Sequence, residues 1–329
     1  MTKKLAITVV LVAIGMTSFA HKKDVDYLQA RRNGAEAQIK ICVVDDEGGV
    51  VSNASIRAFM GMNFRPKGYW IKGVTDENGA FFLHGKTCGD EIEIHASREG
   101  FYNSRRKICF AEMGAEHEVK DGKWLPYGAA EVIRLRSIQK PVPLRKLGFG
   151  MGKDVPGTNK WVGVDMALGD FVKPYGKGDV SDFEVMVEWD GRPPADSNYC
   201  AANIRFMGQL SGGYYATKVM ESEYPYVYQA DNGNAYNTRE FKVVGRDMIR
   251  QDKQVPFGKD AILVTRTRCV LDENGSLKSA NYGFIRFLSV DAGWDGKPTM
   301  QLACIFNPTP NDTNLEDMET INRLKLLGR

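Results

Sequence analysis

Apolar residues recur at every second position over much of this chain, in short runs cut off by turn residues. That spacing sends successive side chains to opposite sides of an extended backbone, so each run buries one face and reads as a β-strand. The clearest run is Asp182 to Trp189. Phe183, Val185, Val187 and Trp189 fall on one side, with Asp182, Glu184, Met186 and Glu188 on the other. No window of helical period competes with this pattern before residue 138. With 329 residues, 43% of them hydrophobic and 26% charged, the chain has the composition of a folded protein and the length for about two domains.

The first set of runs spans residues 38–137. Ile39, Ile41 and Val43 mark a strand closed by the turn Asp45-Asp46-Glu47-Gly48-Gly49, and Ala54, Ile56 and Ala58 mark the next. Residues 73–83 read as strand, tight turn, strand, because Asn78-Gly79 supplies the positive φ of a short hairpin. Ile92 and Ile94, then Tyr102 to Phe110, then Val132, Ile133 and Leu135 continue the pattern. About seven short strands at this spacing predict an all-β sandwich. The turn acids Asp76, Glu77 and Asn78 lack the ligand register of a calcium loop, and Asp272-Glu273-Asn274-Gly275 repeats them between two further strand-like runs, so both are read as turns.

Three blocks in order, residues 45–56 (DDEGGVVSNASI), 75–81 (TDENGAF) and 96–102 (ASREGFY), resemble the carboxypeptidase regulatory-like domain. The resemblance covers about a third of the chain. It implies a seven-stranded transthyretin-like sandwich, of a kind usually carried as an accessory module by enzymes, transporters or surface proteins; analogy of fold licenses no more. Residues 60–70 interrupt the family pattern, and their aromatics Phe64, Tyr69 and Trp70 are expected to pack under the sandwich edge, since aromatic rings favour burial.

Residues 138–160 read as a linker, from Pro141-Val142-Pro143 and the glycine run 148–152. The run is not a phosphate loop: the glycine spacing is one residue short, and Asp154 stands where a hydroxyl is needed. From residue 161 to the end the reading is a larger antiparallel β-sandwich or jelly roll. Its long hairpin, 261–271 with 279–290, turns at Asn274-Gly275. Asn314 is expected to cap a short C-terminal helix carrying Leu315, Met318, Ile321 and Leu324 on one stripe.

Residues 1–20 have the form of a cleaved signal peptide: Lys3 and Lys4, an apolar segment from Leu5 to Met16, then small residues at Ser18 and Ala20. The apolar segment is shorter than the roughly 18–20 residues of a span. An exported product with no membrane span after cleavage is therefore expected, in the periplasm, at the cell surface or outside the cell. The full chain carries a net charge of +3. That near-neutral balance gives no argument for nucleic acid as a partner. Export permits disulfides, and Cys42 and Cys109, on the polar side of their strands, are candidates for a surface staple. The six cysteines contain no C-x-x-C spacing, so no zinc ribbon is expected.

The histidines bound the chemistry. All four precede residue 118, so histidine-dependent nucleophilic catalysis and histidine-ligated zinc are excluded from the larger domain. No cofactor and no metal is expected. The enzymatic alternative is a carboxylate pair: Asp182 and Glu184 would lie about 7 Å apart along one strand face, a spacing open to an inverting glycoside hydrolase. The wet face of a half-exposed sheet explains the same pattern without catalysis. Seven of the thirteen tyrosines lie between residues 199 and 236, and Tyr224, Tyr226 and Tyr228 alternate as a ligand platform on a strand would. The expected role is non-catalytic recognition or structure at the cell envelope, with a glycan or an envelope protein as partner. The alternative is a glycoside hydrolase acting through Asp182 and Glu184.

Overall fold

The computed structural model describes residues 25–63, 67–110, 119–154, 156–189, 200–233, 236, 238–244, 261–292 and 298–320. The leader, Phe64 and the last stretch of the C-terminal stripe lie outside them. The fold is all-β, and α-helix among the described residues is confined to 25–33 and 318–320. No described helix is long and apolar enough to cross a membrane. The chain divides into two compact units, residues 1–138 with 221–224, and residues 139–220 with 225–329.

Among the described residues the first unit has seven strands of six residues or more: β1 (Ala35–Val44), β2 (Ser55–Gly61), β3 (Gly68–Val74), β4 (Ala80–Thr87), β5 (Glu91–Ser97), β7 (Ser104–Cys109) and β10 (Ala129–Arg134). Four two-residue strands join them: β6 (Phe101–Tyr102), β8 (Val119–Lys120), β9 (Lys123–Trp124) and β11 (Arg136–Ser137). One sheet runs β3-β2-β5-β7, all antiparallel. The other is built around β1, antiparallel to β4 and parallel to β10 and β9. Alternation decides what lies between them: Ile39, Ile41, Val43, Ile56, Ala58, Ile92, Ile94 and Ile133 form one buried cluster around Trp124.

The predicted hairpin at Asn78-Gly79 is not a hairpin. β3 pairs with β2 and β4 pairs with β1, so the turn carries the chain from one sheet to the other. The turn chemistry is as read: Asp76 Oδ1 accepts the N–H groups of Asn78 and Ala80, and Gly79 has φ 68°. What separates the strands is Thr75, buried just before the turn. Its hydroxyl donates to the Val51 carbonyl and accepts the Ala54 N–H, tying the end of β3 to the loop before β2.

The second unit pairs two five-stranded antiparallel sheets. One has the order β14 (Asp170–Phe171), β13 (Trp161–Asp165), β15 (Phe183–Trp189), β16 (Cys200–Arg205), β18 (Glu240–Val244). The other has the order β12 (Arg145–Asp154), β21 (Pro298–Phe306), β20 (Leu277–Ala292), β19 (Ala261–Leu271), β17 (Gly212–Thr217). Val185, Val187 and Ile204 of the first sheet, with Phe206 just after β16, pack in one cluster with Leu263, Ile285, Leu302 and Phe306 of the second. The far face of the second sheet is covered too, with Ile262, Val264 and Phe284 packed in a cluster with Tyr236 and Leu315. β19 is therefore buried on both sides from Ile262 to Thr267, which explains why its first four residues, Ala261 to Val264, are all apolar.

Two sequence expectations are corrected here. The linker of residues 138–160 holds a ten-residue strand, β12, paired with β21. In the sequence Leu147, Phe149 and Met151 alternate with Gly148, Gly150 and Gly152, the period of a strand, and the pairing with β21 shifts register between Phe149 and Lys153. The C-terminal helix starts after Asp317, whose carboxylate accepts the N–H groups of Glu319 and Thr320 as an N-cap. Asn314 instead bridges to Gln229.

Candidate functional site

Asp182 does not stand beside Glu184 on a wet face. It precedes β15 and points into the second unit, its side chain 0% exposed. There it takes the guanidinium of Arg268 at 2.8 Å (Nε) and 2.9 Å, together with the Met166 N–H at 2.7 Å. Asp165 shares the same guanidinium at 2.8 Å and also accepts N–H groups from Ala167, Leu168, Asp179 and Val180. Burial alone would raise the Asp165 carboxyl. The N–H groups of Leu168, Val180 and Asp179 and the Arg268 charge outweigh it and hold the group below the usual aspartate value. Arg268 is raised, chiefly by its hydrogen bond to Asp182. This triad is an internal tie between the two sheets.

Glu184, Met186 and Glu188 do face outward, as the alternation predicts, and every acid there has a base. Glu184 pairs with Arg205 at 2.6 Å, and Glu188 takes Lys242 at 3.1 Å and the Asn203 amide at 2.6 Å. Arg205 also lies over the Trp161 ring at 4.1 Å.

The three tyrosines do not form a strand platform. Pro225 lies between the first two, and no named strand covers residues 224–228. Tyr224 is 1% exposed and belongs to the first unit, stacked on Tyr102 at 5.0 Å, with Arg136 over its ring at 5.5 Å. Tyr226 packs on Phe284 at 4.7 Å. Tyr228 lines a shallow cleft of about 110 Å³ with Gln139, Lys140, Gln229, Asn314 and Glu316. Other members of the tyrosine-rich stretch are packing too: Tyr214 meets Tyr236 at 5.3 Å, and Arg266 lies over Tyr236 at 4.3 Å.

The surface that remains chemically open is one the sequence reading did not select, the outward face of β3-β2-β5-β7. Trp70 is 41% exposed, with Phe59 at 5.2 Å, the His95 ring edge at 5.6 Å and the Arg57 guanidinium over the indole at 4.8 Å. Tyr69, on the other side of β3, is 40% exposed and clasps the Lys86 backbone through its hydroxyl, so neither ring is packed under the sandwich edge as expected. Register assembles the group: Trp70 opposes Phe59, while Arg57 opposes Lys72 on one side and His95 on the other. Gly68 makes room, since a Cβ there would meet the Phe59 ring at 2.4 Å. The sequence did carry a signal, an aromatic residue on the polar side of each of two alternating strands, but the register that joins them was not legible.

Cys42, Cys88, Cys109, Cys269 and Cys304 are free thiols. Cys42 lies on β1 and Cys109 on β7, in different sheets, and each alternates with inward-facing neighbours. Their side chains leave the sandwich in opposite directions, which rules out the staple between them. Cys304 is fully buried, and burial pushes its thiol up. Among the described residues no cluster of His, Cys, Asp and Glu is arranged to hold a metal ion.

No protein-family model matches the chain, and no curated protein matches it. Solved structures similar to part of it include 3-chlorocatechol 1,2-dioxygenase from Rhodococcus opacus 1CP, at 14% identity and TM-score 0.25, covering 32% of this chain and 62% of that one. Catechol 1,2-dioxygenase from Acinetobacter radioresistens is 11% identical over 33% of this chain and 54% of its own, with TM-score 0.26. Catechol 1,2-dioxygenase from Pseudomonas arvilla C-1 is 14% identical over 33% and 54%, with TM-score 0.25. The chain thus spans less than two thirds of the length of these enzymes, and a likeness of this extent carries no argument about chemistry.

Proposed function

We propose that this is an exported, envelope-associated or secreted protein with a non-catalytic recognition role, its partner a glycan or an envelope protein, and its first unit the module that makes the contact. The observation that carries the reading is the exposed Trp70 indole with the Arg57 guanidinium held over it, an apolar surface beside a set of hydrogen-bond donors. The signal-peptide form of residues 1–20 and the resemblance of residues 38–137 to an accessory module support the same reading. The hydrolase alternative loses support because Arg268 occupies Asp182, leaving Glu184 without the second carboxylate an inverting mechanism requires.

The test is retention and cleavage of a panel of polysaccharides and envelope proteins by the secreted chain. Retention without cleavage, weakened by Trp70→Ala, is the expected result. Cleavage abolished by Glu184→Gln would overturn the reading, as would a mature N-terminus still carrying residues 1–20.

A further inference from the structure

The outward face of β3-β2-β5-β7 is not electrically neutral. Its exposed cations are Arg57, Lys72, Arg105 and Lys107, against the two carboxylates Glu91 and Glu93. Both acids are already engaged: Glu93 takes His95 at 2.9 Å and Arg105 at 3.5 Å, and Glu91 takes Lys107 at 2.9 Å. Arg57 and Lys72 are left without a carboxylate among the described residues, side by side across β2 and β3 and next to the exposed indole. The pattern is local, because the whole chain carries only +3 over 329 residues.

A guanidinium held over an indole, here with Cζ 4.8 Å from the ring centroid, is restrained in position while keeping its fork of N–H donors. That fork matches a planar anion through two parallel hydrogen bonds. Neighbouring strands are about 4.8 Å apart, so Lys72 adds a second positive charge within reach of the same anion. The part of the Trp70 indole left exposed beside Arg57 supplies apolar surface of the kind on which the C–H side of a sugar ring packs. We propose that this face binds a carboxylate-bearing polysaccharide, with a ring of the polymer on Trp70 and its uronate on Arg57 and Lys72. The proposal rests on the recognition reading above and adds the ligand class. An acidic protein would satisfy the cations equally, but it has no comparable use for the exposed part of the indole beside them.

The experiment measures binding of the full secreted chain to polygalacturonate and alginate, with neutral dextran, dextran sulfate, DNA and an acidic protein as comparison arms. The expected result is uronate binding with little retention on dextran. Arg57→Gln should weaken it about 10- to 100-fold, the usual consequence of losing a hydrogen bond to a charged group. Trp70→Ala should weaken it as well, and Arg57→Lys should restore only part, since lysine keeps the charge and loses the fork. Arg205→Gln, on the second unit, should leave it unchanged, and the melting temperature of each variant checks folding. Equal binding to dextran that depends on Trp70 and not on Arg57 would overturn the charged-ligand proposal and leave the recognition reading standing. Equal capture of dextran sulfate and DNA would overturn it in favour of a bare polyelectrolyte effect. Binding to the acidic protein alone would also overturn it, and no binding in any arm would overturn both readings.

Discussion

Arg268 provides the most direct test of how the second unit is held together. It sits where the register between β19 and β20 shifts, with φ 52°, a left-handed conformation uncommon for a long side chain. The bulge redirects the side chain inward, where its guanidinium meets Asp182 and Asp165, 0% and 3% exposed. Arg268→Met keeps the apolar stem and removes the fork. Asp165 would still hold four backbone N–H donors, but Asp182 would keep only the Met166 N–H. The penalty therefore falls on Asp182, at about 3–5 kcal/mol for a buried pair broken on one side. For a unit of this size that is a fall in Tm of about 6–20 °C. Calorimetry and urea unfolding measure it, and Arg268→Met with Asp182→Asn should recover much of the loss by removing the stranded charge. A cost below about 1 kcal/mol for the single variant, the value of a surface pair, would refute the reasoning. So would a double variant as damaging as the two single ones added together.

Tyr224→Ala should destabilise the first unit by about 3–5 kcal/mol, as loss of a buried aromatic does, and expose residues 218–225 to limited proteolysis; an unchanged melt would contradict its place against Tyr102. Acid should weaken the second unit through Asp165. Its carboxyl is held below 3.8 in the folded state, so its contribution is complete above that value and is lost as pH falls through and below it; unfolding monitored between pH 6 and pH 2 checks the direction. Under native conditions an alkylating reagent should label exposed Cys109 and spare Cys304 until the chain unfolds. Labelling of Cys304 at the rate of Cys109 would place it outside the core described.

Alternation alone made most strands legible, since a residue's side of the strand depends only on its neighbours two positions away. The same rule applies to β12, where glycines alternate with apolar residues in the sequence and read equally as a flexible connector. Pairing was less legible. The turns at Asp76 and Asp272 share the same Asx hydrogen bonds, with each aspartate accepting from residues two and four positions on. One changes sheets and the other closes the β19–β20 hairpin, because buried Thr75 ties the first strand elsewhere and nothing in the turn encodes that. Tyr224 was misread for the same reason. Its partners Tyr102 and Arg136 lie about ninety to a hundred and twenty residues earlier in the chain, beyond the reach of any local pattern.

The two units carry nearly the same surface device with opposite consequences. In the second, Arg205 lies over Trp161 and donates to Glu184, so a ligand carboxylate would have to displace a partner already in place, with little net gain. In the first, Arg57 lies over Trp70 and its fork meets no acid among the described residues. Aromatic content does not separate the two faces, since each arginine lies over a tryptophan. What separates them is the residue directly across the strand pair: Glu184 opposite Arg205 in the second unit, Lys72 and His95 opposite Arg57 in the first. A carboxylate introduced at Lys72 should therefore close the first face as Glu184 closes the second. Lys72→Glu should abolish whatever anion Arg57 holds while leaving Trp70 as exposed as before, which separates loss of the charge site from loss of the stacking surface.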